Sequence, residues 1–310
     1  MNYIENLLSV VIPTYKRSET LTRAIESVLG QTYKDIECIV VNDNTPKDEY
    51  SLVLYDVLKK YESDSRFHFI EQKEHKNGAA ARNAGIKVAR GEYIAFLDDD
   101  DYWDTNKVEV QVGVLKNLSE DWGAVSCMMK FYRNGKIFSA THPYKDGEIH
   151  FAVLARTLGL GTGSLIIRRK ALDETGYFDE SLYRFQDPQL FSCLTEKYKV
   201  KLVKRYLHNR DVDDAQNRPT IENIDAYVEA FFKSVAPQLK RLSQRKVNVL
   251  RTKYNLDKAP VYWRCGDKLG AIKFFLGVFK YPETILMALQ RIRGRRRNRI
   301  DIENRLKKYS

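Results

Sequence analysis

Four consecutive carboxylates, Asp98-Asp99-Asp100-Asp101, follow an apolar run at residues 93–97 and lead into Tyr102 and Trp103. Like charges packed this closely repel, and each raises its neighbours' pKa unless a cation intervenes. A hard divalent cation with oxygen ligands, Mg²⁺ or Mn²⁺, relieves that repulsion. Such ions take few protein carboxylates and fill the rest of their shell with phosphates and water, so the spacing suggests a metal holding a diphosphate. The competing account is a solvated acidic loop in which Asp101 or Asp104 caps a helix. Asp187, just before Pro188 at a helix start, also has two readings. It can be a carboxylate placed to take a proton from a hydroxyl, or a plain N-cap. Gly159, Gly161 and Gly163 flank Thr162 and Ser164. Glycines here either let a ligand come close or make an ordinary flexible loop.

These residues need elements to hold them. Residues 9–12 form a short β-branched run stopped by Pro13, as a buried strand would be. Ser18 can cap the helix that follows, in which Leu21, Ala24, Ile25, Val28 and Leu29 share one face. Strands are expected at 36–41, 67–70 and 93–97, with helices at 50–61 and 79–89 between them. This β-α alternation predicts a parallel sheet with helices on both faces, where ligands bind beyond the carboxyl ends of the strands. Pro13 to Arg17, Asn42 to Thr45 and the four aspartates all lie at such ends. Further on, 124–131 reads as a strand, and Asn134-Gly135 is a type I′ turn signal into 136–140. Strands at 165–167 and 200–206 follow. Trp103 suits a core anchor better than a sugar-site edge.

The whole chain of 310 residues carries a net charge of +11. The excess is uneven: residues 1–230 sum to −5 and residues 231–310 to +16. Hydrophobic residues at 43% exclude wholesale disorder. Cys38 and Cys127 lie in apolar runs without CxxC spacing, which suits buried free thiols in a reducing compartment. No secretory signal is expected, since the N-terminal apolar run lacks a basic flank and breaks at Pro13.

The stretches SVVIPTYKRSETLTRAIESVLGQTYKDIECIVVNDNT, NGAAARNAGIKVARGEYIAFLDDDDYW, GTGSLIIRRKALDETGYFDE and RFQDPQLFSCL, in that order, resemble the family 2 glycosyltransferases. The likeness covers about residues 7–210. It implies the GT-A fold, a Rossmann-like α/β architecture with a mostly parallel sheet. It also implies inverting transfer of a sugar from a nucleotide-sugar donor to an acceptor hydroxyl, assisted by Mn²⁺ or Mg²⁺. By that resemblance Pro13 and Tyr15 hold the nucleotide, and Asp43 reads uracil. Gly78 and Arg82 flank the donor, Asp98 or Asp99 meets the ribose, and Asp100 binds metal. Asp187 is the implied catalytic base, and His208 is placed near the diphosphate or the metal. The family's Asp-Asp pair is here Asn42-Asp43, and its Glu-Asp pair is Gln186-Asp187.

The expected organisation is a catalytic domain over 1–215 and a helical, basic region over 216–310. Helices are expected at 224–242 and 247–256. Residues 269–290 are apolar but interrupted, unsuited to spanning a bilayer yet able to lie along one. Six arginines between 291 and 299 follow. An apolar face beside a basic run fits an anionic membrane surface, a packed appendage or a nucleic acid. Taken with the basic tail, the resemblance implies a UDP-sugar-dependent enzyme of cell-surface polysaccharide synthesis, peripheral on the cytoplasmic face of a bacterial membrane. Its acceptor is expected to be a glycan or lipid-linked glycan. A nucleotide-sugar-binding protein without turnover and a nucleic-acid-binding protein are the rivals; the ordered acidic motifs argue against the second.

Overall fold

The computed structural model describes residues 3–212, 219–287 and 302–309. Four parallel strands come first: β1 (Ile4–Thr14), β2 (Ile36–Asn42), β3 (Phe67–Glu71) and β4 (Gly91–Phe96). Between them lie α1 (Leu21–Leu29), α2 (Glu49–Leu58) and α3 (Gly78–Val88). Every residue of β2 is buried, as expected of a strand covered on both faces. Successive side chains of β1 serve opposite layers. Val10 and Ile12 pack with α1, α2 and α4 (Lys107–Lys116), whereas Val11 packs with the α3 side. Gly85 explains how close α3 comes, because a Cβ there would sit 2.3 Å from Val11 Cγ1. That approach fixes the N-terminal end of α3 over the carboxyl edge of the sheet.

The sheet order is β3-β2-β1-β4-β8-β6-β9-β5, with β7 paired to β6. The added strands are β5 (Tyr102–Trp103), β6 (Trp122–Arg133), β7 (Lys136–Ala140), β8 (Leu165–Arg168) and β9 (Lys199–Asp211). β8 is antiparallel to both β4 and β6, while β6 and β9 run parallel. The short β5 pairs antiparallel with β9, setting Trp103 opposite His208. The turn between β6 and β7 has Asn134 at φ 49° and Gly135 at φ 69°, the left-handed pair that a type I′ turn needs. Trp103 is a core residue: its Nε1 donates to Gly163 O at 2.9 Å, and the buried Lys107 ammonium lies 3.8 Å from its ring centre.

Some boundaries differ from expectation. Thr20, not Ser18, occupies the N-cap of α1. Two helices that no periodicity announced, α5 (His150–Leu154) and α6 (Arg169–Thr175), and α7 (Gln186–Lys197), whose start was expected at Asp187-Pro188, fill the second half of the sheet domain. The expected helix at 224–242 is two, α8 (Ile221–Ser234) and α9 (Ala236–Lys240), broken just before Pro237. The next helix, α10 (Gln244–Arg264), instead runs on through Pro260; buried neighbours Ala259, Val261 and Tyr262 hold it despite the lost hydrogen bond. α11 (Lys268–Gly277) packs against it. The last helix, α12 (Ile302–Tyr309), returns to the sheet, where Ile302, Leu306 and Tyr309 pack on Met128, Ala140, Leu202 and Tyr206. No helix among the described residues is long and apolar enough to cross a membrane. The expected domain boundary at 215/216 and the arginine run at 291–299 lie outside the described residues.

Candidate active site

The four aspartates form a turn at the end of β4, closed by the Asp101 amide donating to Asp98 O at 3.1 Å. They diverge. Arg82 Nη2 donates to Asp98 at 2.6 Å. Asp99 points back into the protein and accepts from Thr14 Oγ1 at 2.8 Å. Asp100 pairs with Arg17. Asp101, 1% exposed, lies 2.9 Å from His208 Nε2 and accepts from the Asp211 amide at 3.1 Å. One carboxylate oxygen from each of Asp98, Asp100 and Asp101 lies within 4.8 Å of the other two, a set that leaves Asp99 out. The capping account fails, because Asn106 holds the N-cap position of α4.

Electrostatics set these acids apart. Burial works against the charge on Asp98, but Arg82 and Arg210 outweigh it and hold its carboxyl below the ordinary value. Burial, then repulsion from Asp101 and Asp98, pushes Asp100 up to about 6. Burial pushes Asp99 up to about 7 against the Thr14 hydrogen bond, and burial with Asp98 lifts Asp101 well above its ordinary value. Three converging oxygens of this kind suit a hard divalent cation, which would reverse the repulsion. His208 stands behind that set. It is fully buried, its pKa is pushed down to about 3 by burial, and its Nδ1 has no partner. The hydrogen bond shared by Nε2 and the Asp101 carboxyl orients both groups. Gly163 makes room for the ring, since a Cβ there would meet the imidazole at 2.6 Å. Gly161 and Gly159 likewise accommodate Met129 and Thr141. These glycines let His208 of β9, Met129 of β6 and Thr141 just after β7 approach, a packing reason not visible in the sequence.

A second group lies beyond β1 and β2. Pro13 pairs in register with Val41, and the half-exposed Tyr15 stacks on His75 with ring centres 3.8 Å apart. Asp43 is buried beneath them, 3.1 Å from His75 Nδ1, and accepts from the Lys76 amide at 3.1 Å and from Gln72 Nε2 at 2.5 Å. Burial raises its pKa, partly offset by the Lys76 amide and His75. Asn42 is internal: its amide donates to Ser51 Oγ at 2.9 Å, and its Oδ1 accepts from the Asn44 amide. An aspartate there could not donate to Ser51, which accounts for the amide.

Arg82 links the acid turn to α7. Besides Asp98 it reaches Gln186 Oε1 at 3.3 Å, and a Cβ on Gly78 would lie 2.9 Å from its Nη1. Gln186 is anchored in turn by donating to Leu182 O at 2.6 Å. Asp187 sits in the first turn of α7, whose N-cap is Phe185 in the left-handed conformation at φ 64°. Asp187 is thus not the cap. Its charge helps raise the pKa of both Arg82 and Arg210, so it shares their neighbourhood. Sequence reasoning did not single out Arg17, Arg210 or His75. Arg210 had a signal, since it lies two residues beyond His208 on the same face of β9.

Residues 9–176 match the model of glycosyl transferase family 2. The UDP-Glc:α-D-GlcNAc-diphosphoundecaprenol β-1,3-glucosyltransferase WfaP of Escherichia coli is 42% identical over 180 residues, which are 57% of this chain and 67% of that protein. S. aureus TarS 1-349 in complex with UDP-GlcNAc superposes with a TM-score of 0.64 at 16% identity, covering 96% of this chain and 92% of that one. The mannosyltransferase PcManGT from Pyrobaculum calidifontis, in complex with GDP-Man and Mn²⁺, gives 0.52 at 15% identity, covering 87% and 86%. With the fold, the acid turn and the matched residues in agreement, the chain belongs to glycosyl transferase family 2.

Proposed function

We propose that the protein is an inverting, metal-dependent glycosyltransferase that moves a sugar from a UDP-sugar to an acceptor hydroxyl in polysaccharide synthesis. The observation that carries this reading is the bridge through Arg82, which brings the acid turn and the start of α7 to one site. Tyr15, His75 and Asp43 offer a stacking face and a buried acceptor for a base. Asp98, Asp100 and Asp101 would hold Mn²⁺ or Mg²⁺. Such an ion, when bound, stabilises the charge growing on a departing nucleoside diphosphate. Asp187 takes the proton from the acceptor hydroxyl as that oxygen attacks the anomeric carbon, and direct displacement inverts the centre. Arg82 holds Asp98 ionised and steadies Gln186 beside the base. The domain reading, catalysis in 1–215 and a helical basic region in 216–310, belongs to the same proposal.

UDP binding tests it. With UDP at 100 times its dissociation constant, the melting temperature should rise by several degrees, equivalent to about 2.7 kcal/mol. The rise should need Mn²⁺ or Mg²⁺ and vanish with chelator. No shift with any nucleoside diphosphate would reduce the acid turn to a structural feature.

The membrane part of the reading is supported by α11 and the turn after it. Leu269, Phe275, Leu276 and Phe279 are exposed, the first 81% and the last 78%. Lys268, Lys273 and Lys280 flank them, with the arginine run beyond. An apolar face edged by cations suits the surface of an anionic leaflet, where a lipid-linked acceptor would lie. Deleting the tail would uncover Leu202 and Tyr206 beneath α12, so point changes are the cleaner test. Leu276→Ser with Phe279→Ser should weaken sedimentation with phosphatidylglycerol vesicles by more than about tenfold, given the apolar area lost. Unchanged vesicle binding would refute attachment through α11.

A further inference from the structure

Lys107 is fully buried, and its ammonium has no hydrogen-bond partner among the described residues. Its place opposes a cation in three ways. Burial pushes its pKa down to about 8. It opens α4, the end at which a helix dipole disfavours positive charge. Without a hydrogen-bonded partner it carries the full penalty of leaving water. What it does have is the Trp103 ring, whose centre lies 3.8 Å from Nζ. Cation–π attraction of this kind returns only part of that penalty. A methionine would fill the same space and pack on the indole without the charge. Stability therefore does not account for a lysine here, and groups perturbed in this way gather at functional sites.

The contacts around Lys107 lead to the acid turn. Trp103 lies two residues after Asp101 and pairs in register with His208. Its indole N–H donates to Gly163 O at 2.9 Å. Gly163 also lies against the His208 ring, since a Cβ there would sit 2.6 Å from Cε1. Indole and imidazole thus press on one residue, and the imidazole shares its hydrogen bond with Asp101. The ammonium is near enough to be the strongest single charge acting on His208, ahead of Arg210. Ammonium, indole, Gly163, imidazole and carboxylate therefore form one buried chain of contacts. Asp101 is also fixed from the other side by the Asp211 amide, so its direction depends on the groups behind it. We propose that Lys107 is a positioning residue for the cation site, holding Trp103 and His208 so that Asp101 presents an oxygen beside those of Asp98 and Asp100. The inference rests on the metal-dependent transferase reading above. Side chains behind a ligating carboxylate are commonly worth about 10–100-fold in metal affinity.

The test titrates UDP into the full chain, with saturating Mn²⁺ and with chelator, beside melting curves of the free protein. Lys107→Met keeps the packing stem and removes the charge. It should weaken Mn²⁺-dependent UDP binding by about tenfold, while the free variant melts at least as high as the parent. A lysine that only packs gives the opposite pattern, a lower melting temperature with unchanged affinity, and that result overturns the proposal. His208→Gln removes the ring from the chain of contacts but can still donate to Asp101, and it should weaken binding as well. In the double variant the second change should add less than about twofold, because Lys107 acts through that ring. Losses that multiply in the double variant overturn the proposal. Should Lys107→Met both melt lower and bind more weakly, the double variant decides in the same way. A parent that binds no UDP with Mn²⁺ overturns the donor reading and this inference with it. A parent that binds, with Lys107→Met unchanged, overturns this inference alone.

Discussion

Asp187→Asn is expected to leave metal-dependent UDP binding intact and to lower sugar transfer by roughly 10²–10⁴-fold, the usual worth of a positioned general base. An acceptor hydroxyl is a weak nucleophile at neutral pH, and the amide of asparagine cannot take its proton. The structure makes this substitution a clean one. Phe185, not Asp187, occupies the N-cap of α7, so no cap is lost. What remains is a carboxylate in the first turn of a helix, where its charge contributes about 0.3–1 kcal/mol. A fold that tolerates that loss will show the chemical effect alone. The assay is transfer from UDP-sugars with the UDP melting shift measured on the same preparation. Unchanged transfer would remove Asp187 from the chemistry. Loss of both readouts would mean that it positions the donor.

Gln186 bears on the same test. The resemblance implies a glutamate there, and a neutral residue could suggest a site that has lost turnover. The geometry supports another account. Gln186 accepts from Arg82 and donates to Leu182 O, a pair of bonds that a carboxylate could not make. Arg82 then stays available to Asp98 and to the charge on Asp187. The substitution thus shifts the charge balance beside the base without displacing it.

The alternation of β1 to β4 was legible because those strands and helices are local, and their periods of 2.0 and 3.6 show in the apolar residues. The hairpin at Asn134-Gly135 was legible for the same reason. The order β4-β8-β6-β9-β5 was not, since it joins strands distant in sequence. At the site, four aspartates in a row suggested a place for a cation, but not the directions of their side chains. Only the turn shows that Asp99 faces Thr14 while Asp101 faces His208. His75 escaped notice because a single polar side chain carries no periodic signal, Arg17 was placed at a strand end without a role, and Arg210 had only its spacing of two from His208. Their partners come from other strand ends. In the helical region Pro237 and Pro260 look equivalent in sequence. One falls at N2 of α9, where a missing amide is harmless, and the other lies inside a packed helix.

Asp100→Ala should abolish the metal-dependent UDP shift altogether, yet it should not weaken the free protein at neutral pH. Both halves follow from the acid turn. Removing one of three converging carboxylates takes away a cation ligand that no neighbour replaces, since Asp99 faces inward and His208 is occupied with Asp101. The nucleotide then meets repelling carboxylates with no bridging charge between them. In the free protein the same carboxylate is a liability. Burial and its like-charged neighbours hold its pKa up at about 6, against an ordinary value of 3.8. A carboxyl whose folded pKa is raised favours the folded state below the unfolded pKa, and that contribution is lost as pH rises through the folded value. Ionised Asp100 therefore opposes folding above about pH 6, and the parent should lose stability between about pH 4 and 6 relative to the alanine variant. Its ion pair with Arg17, an arginine 36% exposed, returns only part of that cost. Melting curves of both proteins from pH 4 to 8, with and without UDP and Mn²⁺, separate the two effects. A variant that melts lower than the parent at pH 8 would mean that the Arg17 pair outweighs the repulsion. A UDP shift that survives in the variant would remove Asp100 from the metal site. The expected combination, an unliganded protein at least as stable and a donor response lost, is the mark of a residue kept for binding at the expense of stability.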